Sequence, residues 1–237
     1  MLHKNGKTIV VSADDFGISQ IANKNILALV HKNKLDRVEI MVSDNLKPEQ
    51  IQGLLSSGIK LDIHLHLAKD ELDYWQNNPR VIDSGVVKRM LSFLYNFFFG
   101  KGTPGKVEQE WEQQIIDFQK KVGRVPDGVS SHEHIHFFSP YFNVLLKLCD
   151  KYKISYVRLG KLSFKINSSK VSTILNWLKE RNQAKFKKYQ IDTSDLMVSF
   201  DWIGNFDAFL DTLPDNKVTE VVFHPELKNE FDFLDRF

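Results

Sequence analysis

The residues best suited to chemistry are grouped in four short stretches of this sequence. Two adjacent carboxylates follow an apolar run in VVSADDFGIS, and histidines occur in LDIHLHL, SSHEHIHFFSP and VVFHPE. In chain order these residues are Asp14, Asp15, His64, His66, His132, His134, His136 and His224. Of the eight histidines, only His3 and His31 lie outside these stretches. Two imidazoles and a carboxylate form a common metal site with open coordination positions, so the set predicts a divalent metal ion.

The adjacent aspartates fit such a metal site. A metal ion needs only one of the two carboxylates, and the other can remain as a general base that activates water. The charge of the ion would keep both Asp14 and Asp15 ionised despite their mutual repulsion. Metal, water and base together predict metal-assisted hydrolysis.

The elements that must position these residues are alternating strands and helices. The predicted strands are Thr8–Ala13, Val38–Val42, Leu61–Leu67, Gly128–Ser131, Ser155–Leu159, Leu196–Phe200 and Thr219–His224. The predicted helices are Ile21–Val30, Val107–Val122, Pro140–Tyr152 and Val171–Lys179, of which the second carries an apolar stripe at spacings of three and four. This alternation predicts an α/β fold with a parallel sheet, either doubly wound or closed into a barrel. In both folds ligands bind at the carboxyl ends of the strands, where the histidines and aspartates lie.

Length and composition set limits on the kind of protein. The 237 residues fit one domain, 1–237, with an irregular insertion at about 68–106. A hydrophobic content of 42% and a charged content of 26% are those of a folded globular chain. The net charge of +2, with no basic stripe carrying interleaved aromatics, argues against a nucleic-acid partner.

Cysteine usage and hydropathy predict the compartment. Cys149 is the single cysteine, so an internal disulfide and a cysteine-based zinc cluster are excluded, and its helical context predicts a buried thiol. The first residues, MLHKNGKTIV, lack the apolar core of a signal peptide. No apolar run approaches the roughly 20 residues that span a bilayer. We therefore expect a cytoplasmic protein without a membrane partner.

The four stretches resemble the YdjC/ChbG/HpnK family of carbohydrate deacetylases. SADDFGIS, DIHLHL, SSHEHIH followed by FFSP, and VVFHPE occur in the order of that family and at similar spacing, from Thr8 to about Glu226. The resemblance implies a distorted, incomplete (β/α) barrel of about seven parallel strands, similar to that of polysaccharide deacetylases. It also implies one divalent metal ion, magnesium or zinc, and removal of an acetyl group from an N-acetylated sugar or oligosaccharide.

The resemblance implies a role for each matching residue. Asp15, His64 and His132 would bind the metal. Asp14 would be the general base, and His224 would protonate the leaving amine. Further residues would bind substrate or support the site, namely His66, His134, His136 and Arg158. Arg158 would orient Asp14 or contact substrate, and a surface salt bridge is an equal alternative for this residue.

Some positions depart from the family pattern. The family usually has Asp-Ser-His where this chain has Ser130-Ser131-His132, and the missing acid can orient a metal ligand, so altered metal affinity is expected. His66 replaces a common asparagine, and Glu133 a common glutamine or histidine. Two alternatives therefore stay open: a metal-dependent phosphoesterase, and a sugar-binding relative with weakened catalysis. A homodimer is compatible with the long insertion.

Overall fold

The computed structural model describes residues 2–4, 7–67, 102–163 and 170–237. The strands are β1 (Leu2–Lys4), β2 (Lys7–Phe16), β3 (Arg37–Ile40), β4 (Lys60–Leu65), β5 (Val129–Ser131), β6 (Leu196–Ser199) and β7 (Val218–Phe223). The helices are α1 (Gln20–His31), α2 (Pro48–Ser57), α3 (Pro104–Val122), α4 (Ser139–Tyr152), α5 (Lys170–Phe186), α6 (Phe206–Thr212) and α7 (Lys228–Arg236). Short 3-10 helices cover His132–Phe137 and Phe200–Trp202.

The sheet is parallel apart from one short strand. Its order is β5-β4-β3-β2-β7-β6, and β1 pairs antiparallel with the beginning of β2. Parallel strands need crossover connections, which the helices supply by packing on the outer face. The predicted α/β fold with a distorted, incomplete barrel is thus confirmed, with six parallel strands and β1 as the seventh.

The two edges of the sheet are joined by residues 155–162, where a fifth parallel strand was predicted. On the β5 side, Val129 N–H donates to Tyr156 C=O and Arg158 N–H donates to Val129 C=O. On the other side, Val157 N–H donates to Asp192 C=O, just before β6. Only isolated bridges form, Val129↔Val157 and Tyr156↔Asp192. A regular strand is prevented because Gly160 has φ 78° and because Arg158 C=O accepts a hydrogen bond from a histidine side chain.

The core lies between the outer face of the sheet and the helices. Helix α3 shows this clearly, since its predicted apolar stripe is buried along its whole length: Val107, Trp111, Ile115, Phe118 and Val122. Helix α4 buries Cys149, as predicted from its position in the apolar pattern. On the strands, apolar residues face the helices and polar residues face the concave interior, in the alternation that a pleated strand imposes.

Helices α2, α6 and α7 were missed in the sequence. Helix α2 buries only Ile51 and Leu54, so its apolar periodicity is too weak to be recognised. The predicted insertion at 68–106 falls outside the described residues up to position 101, and from Pro104 onward it is the first turn of α3. Within the described ranges, no helix is long and apolar enough to cross a bilayer.

Candidate metal centre and active site

Strand β2 continues through both aspartates instead of ending before them. Its pairing with β3 runs from Ala13↔Val38 to Phe16↔Ile40, so β2 advances by one more residue than its partner. This β-bulge contains Asp15 in the left-handed region, at φ 67°. Neighbouring residues of a regular strand point to opposite faces. The bulge overrides this rule, and both carboxylates approach the same imidazole: His64 Nε2 lies 3.8 Å from Asp14 Oδ2 and 3.4 Å from Asp15 Oδ1.

Three of the predicted residues converge at the carboxyl ends of β2, β4 and β5. Asp15, His64 and His132 each offer one ligand atom, and these atoms lie within 4.8 Å of one another. His132 Nδ1 donates to Asp15 Oδ1 at 3.2 Å. Asp15 and His64 are buried, whereas the side chain of His132 is 27% exposed and opens the group to solvent. One carboxylate and two imidazoles suit a divalent ion that keeps open coordination positions.

The protonation states of His64 and Asp15 suit cation binding, whereas His132 is protonated at neutral pH. Burial lowers the pKa of His64 to about 4, against the raising effect of Asp14 and Asp15, so its imidazole is neutral and has a lone pair. Burial alone would raise the pKa of Asp15, but the charge and hydrogen bond of His132 hold it below its ordinary value. Burial likewise opposes the charged form of His132, but Asp15 raises the pKa of His132 to about 9. A cation would replace the proton that His132 shares with Asp15.

Arg158 is fully buried at the centre of the concave interior, so the surface salt bridge considered from the sequence is wrong. Its guanidinium donates to Asp14 Oδ2 at 2.8 Å, to Glu39 Oε1 at 2.9 Å and to Glu220 Oε1 at 2.8 Å. The nitrogen that donates to Asp14 Oδ2, Arg158 Nη1, also lies 2.8 Å from Asp14 Oδ1. This second contact is not a hydrogen bond, and Asp14 Oδ1 accepts none from the described residues. Arg158 therefore orients Asp14 by a hydrogen bond to Oδ2 and an ion-pair contact with Oδ1.

His224 follows β7 and is held by helix α7. Its backbone N–H donates to Glu230 Oε2 at 2.7 Å, and its ring Nδ1 lies 3.7 Å from the same oxygen. Burial would lower the pKa of His224, but Glu230, followed by Asp15 and Asp14, raises it to about 10. The imidazole is therefore protonated at neutral pH and can donate a proton.

The other two histidines of the SSHEHIH stretch are held in different ways, and His136 is buried whereas His134 is partly exposed. His136 Nε2 donates to Arg158 C=O at 2.8 Å, and its Nδ1 accepts from Ser131 Oγ at 2.6 Å, so both ring nitrogens are used in positioning the chain around Arg158. His134 stacks on Phe137 with ring centroids 5.8 Å apart. His134 and Glu133 both have positive φ, at 55° and 52°, which is uncommon for residues other than glycine.

His66 lies just beyond the end of β4 and is fixed there by helix α3. Its N–H donates to Gln114 Oε1 at 3.1 Å, and its C=O accepts from Gln114 Nε2 at 2.9 Å and from Trp111 Nε1 at 3.1 Å. Burial lowers the pKa of His66 to about 4, so this side chain is neutral at physiological pH.

Sequence reasoning missed the carboxylates that come from the middle of the strands. Glu39 of β3 and Glu220 of β7 are fully buried, and burial raises the pKa of Glu39 to about 7 against the opposing charge of Arg158. No motif contains either glutamate. The available signal was alternation, since Arg37 and Glu39 alternate with apolar residues in RVEI and so had to share the concave face of the sheet.

Comparison with known proteins places this geometry in a family. The profile of the YdjC-like protein family matches residues 8–235, which run from β2 into the last turn of α7. The chain belongs to the YdjC-like family. The predicted family resemblance is thereby confirmed, and it extends over both aspartates, all the clustered histidines and Arg158.

Curated proteins similar to this YdjC-like chain are named carbohydrate deacetylases. The one from Halalkalibacterium halodurans is 30% identical over 154 residues, which are 64% of this chain and 63% of that protein. The one from Oceanobacillus iheyensis is 26% identical over 151 residues, 62% of each chain. The alignments therefore span less than two thirds of the length of these relatives.

A solved structure supports the fold. An Enterococcus faecalis protein, described as a proposed cellobiose-phosphate cleavage protein, has a TM-score of 0.58 and 20% sequence identity, covering 95% of this chain and 85% of that one. At that identity the likeness concerns the architecture alone, and it agrees with the curled, incomplete barrel of the YdjC-like chain.

Proposed function

We propose that the protein is a metal-dependent carbohydrate N-deacetylase, which hydrolyses the acetamide of an N-acetylated sugar. The observation that carries the proposal is the position of Asp14. It lies beside the metal-binding candidates Asp15 and His64 and is oriented by Arg158. Its second oxygen forms an ion pair with Arg158 but accepts no hydrogen bond from the residues that the structure describes. A site that only bound sugar would not need this carboxylate. Membership of the YdjC-like family and the names of the curated relatives support the choice of substrate class.

In this proposal Asp15, His64 and His132 hold one divalent ion. A cation in that position acts as a Lewis acid, which polarises the amide carbonyl and makes water more acidic. The neutral imidazole of His64 and the ionised carboxylate of Asp15 are already in the protonation states that such an ion requires.

Asp14 and His224 would move the protons. Asp14 accepts a proton from the attacking water, whose oxygen forms the new bond to the acetyl carbon. His224, protonated at neutral pH, donates its proton to the sugar nitrogen as the C–N bond breaks. The products are acetate and an amino sugar, and proton transfer from Asp14 to solvent and from solvent to His224 restores the enzyme.

The supporting residues have separate roles in this scheme. Arg158 keeps Asp14 oriented, and His136 in turn fixes the backbone of Arg158. We propose His66 and His134, which lie beside the metal-binding group, as the residues nearest to the bound sugar. The described part of the site favours a neutral acetamide over a phosphate ester, because the central guanidinium of Arg158 is already engaged by three carboxylates.

The proposal is tested by acetate release from a panel of N-acetylated mono- and disaccharides, with magnesium or zinc added to metal-free protein. Asp14→Asn should lower kcat by about 10²- to 10⁴-fold, which is typical for loss of a general base. His132→Ala should abolish metal-dependent release. Asp117→Asn, a change on the exposed side of α3, is the matched control and should retain wild-type activity.

Two results would contradict the proposal. Hydrolysis of phosphate esters with two or more metal ions per chain, in place of acetate release, would assign the protein to the phosphoesterases. Sugar binding without turnover under any metal would assign it to the catalytically weakened relatives.

A further inference from the structure

Ser130 links a metal-binding candidate to a buried carboxylate. Its hydroxyl oxygen lies 2.7 Å from His64 Nδ1 and 2.6 Å from Glu39 Oε2. His64, Ser130 and Glu39 come from the neighbouring strands β4, β5 and β3, and all are buried. At this position the family usually has an aspartate. Here Glu39 Oε2 lies 3.8 Å from His64 Nδ1, beyond hydrogen-bond distance, so the carboxylate is hydrogen-bonded to the imidazole through the serine.

The directions of these hydrogen bonds follow from the number of protons. A serine hydroxyl has one proton, and an ionised carboxylate can only accept. Ser130 therefore donates to Glu39 and must accept from His64. The proton of the neutral His64 ring then lies on Nδ1, and the lone pair lies on Nε2, the atom that is 3.4 Å from Asp15 Oδ1.

The other oxygen of Glu39 is also engaged. Glu39 Oε1 accepts from Arg158 Nη2 at 2.9 Å, and another nitrogen of Arg158 holds Asp14. Both oxygens of Glu39 are thus fixed, and a rotation of its carboxylate would break one bond or the other. Glu39 is thus linked to the proposed base Asp14 through Arg158, and to the proposed metal ligand His64 through Ser130.

We propose that Glu39 is a positioning residue that acts through the hydroxyl of Ser130 to hold His64 in the Nδ1–H tautomer, with the Nε2 lone pair directed at the metal position. The inference rests on the proposed function, since it concerns the same metal site. It identifies the acid that serves His64 in place of the missing aspartate. Partners of this kind raise metal affinity because they fix both the tautomer and the ring orientation of the ligand.

The first test measures the tautomer directly. In metal-free wild-type protein at pH 8.5, above the pKa of Glu39, nitrogen-15 NMR of the histidine rings should show His64 protonated on Nδ1, with the signal assigned by its loss in His64→Gln. Protonation on Nε2 in this spectrum would overturn the proposal. The measurement on the wild-type protein needs neither a bound metal ion nor enzymatic activity.

The second test compares two serines that differ only in what they reach. Ser12 Oγ donates to Glu220 Oε1 at 2.8 Å, and Arg158 donates to the same oxygen. Ser12 is therefore buried and hydrogen-bonded to a carboxylate that Arg158 binds, as Ser130 is, but it makes no hydrogen bond to His64. Zinc affinity, measured by calorimetric competition with a chelator, should fall about 10- to 100-fold in Ser130→Ala. It should stay near the wild-type value in Ser12→Ala. Equal losses in the two variants would contradict the proposal.

The third test uses the two glutamates in the same way. In Glu39→Gln, Arg158 retains the amide oxygen, so the amide nitrogen must face Ser130 and donate to it. The hydroxyl then donates to His64, and the tautomer should change to Nε2–H. Glu220→Gln removes the same charge from Arg158 and should leave the tautomer unchanged. An unchanged His64 spectrum in Glu39→Gln would refute the relay.

A rescue variant separates the relay from general damage. Ser130→Asp combined with Glu39→Gln places a carboxylate directly at His64 Nδ1 and should recover most of the zinc affinity lost in Glu39→Gln. No recovery would count against the proposal. If wild-type protein binds no zinc, the metal site of the proposed function is wrong, whereas the tautomer spectrum still decides the role of Glu39.

Discussion

At the scale of single residues, two neighbouring aspartates have different surroundings. Asp15 shares its carboxylate with His132, whereas Asp14 is held by Arg158. We expect Asp15→Asn to weaken zinc binding strongly, because it removes a ligand charge while asparagine still tolerates the positive φ. Asp14→Asn should weaken zinc binding far less and act mainly on kcat. Calorimetry and steady-state kinetics on both variants check this, and a matching loss of affinity in both would mean that the two roles are not separate.

The pairing of His224 with Glu230 predicts a pH dependence of stability. The folded-state pKa of His224 is raised to about 10, so its stabilising effect is complete below the ordinary histidine pKa of about 6.5 and is lost as pH rises through about 10. Glu230→Gln keeps an oxygen for the His224 N–H and removes the charge. In metal-free protein it should lower the free energy of unfolding by about 1 kcal/mol at pH 6.

Urea unfolding at pH 6 and at pH 10.5 makes the comparison, and the loss should be much smaller at the higher pH. Asp232→Asn removes a charge from the same helix at a carboxylate that pairs with Lys228, and it is a control for general electrostatic effects. A loss that does not vary with pH would show that Glu230 acts on packing and not on the charge of His224.

The residues that carry the proposed chemistry were predictable because their types are rare and their positions coincide with strand ends. Glu39, Glu220 and Glu230 were not, because glutamate is common and no motif marks them. Their placement depends on which face of a strand or helix they occupy and on the partner that a distant segment brings. Arg158 was considered as a partner of Asp14, but its three carboxylate contacts required the curvature of the sheet.

At the scale of elements, the bulge in β2 depends on a glycine that follows it. Gly17 has φ 110°, and a Cβ built there would lie 2.1 Å from Met41 C=O. Gly17→Ala should therefore destabilise the protein by about 2 to 4 kcal/mol, because it combines backbone strain with a backbone clash. Gly105→Ala is the control, since its Cβ meets nothing within 4 Å, and it should be neutral or slightly stabilising. Similar unfolding midpoints for the two variants would disprove the explanation.

Helix α3 provides a second prediction, because Gln114 binds both backbone groups of His66. Gln114→Ala leaves these buried groups without that partner and should cost about 1 to 3 kcal/mol of stability. It should also weaken zinc binding, since His66 is two residues beyond His64. Gln113→Ala, on the exposed side of the same helix, should change neither property. Normal zinc affinity in Gln114→Ala would show that α3 stabilises the strand without positioning the site.

The helices and strands that could be predicted from the sequence are those with a strong apolar pattern. Helix α3 was recognised from five buried residues on one stripe, whereas α2 buries too few. The predicted end of β2, at Ala13, was too early, because two adjacent aspartates are more typical of a turn than of a strand. A β-bulge has no sequence signal of its own that could have corrected this. The fifth predicted strand became isolated bridges, because tertiary contacts of Arg158 and the conformation of Gly160 outweighed β-propensity.

At the scale of the whole molecule, charged groups are concentrated in the concave interior of the sheet. Carboxylates buried there are Asp14, Asp15, Glu39, Asp62 and Glu220, and the cationic groups that face them are Arg37, Arg158 and the protonated imidazoles of His132 and His224. A divalent cation held by Asp15, His64 and His132 should stabilise the folded chain, because the unfolded chain does not hold these ligands together. Zinc at about 100 times its Kd should raise the melting temperature by roughly 5 to 10 °C, and a chelator should reverse the shift. His132→Ala should abolish the shift, and an unchanged shift in that variant would place the ion elsewhere.

The order of the strands has a consequence for synthesis of the chain on the ribosome. Strand β7 follows all the other described strands along the chain, but it inserts between β2 and β6. Until residues 218–223 emerge, the edge of β2 that pairs with β7 has no neighbour among the described strands. Asp14 and Glu39 likewise have no Arg158 to bind until more than a hundred further residues have been made. The proposed catalytic centre therefore assembles only after β7 has been made, and until then the open edge of β2 is a surface that a chaperone can cover.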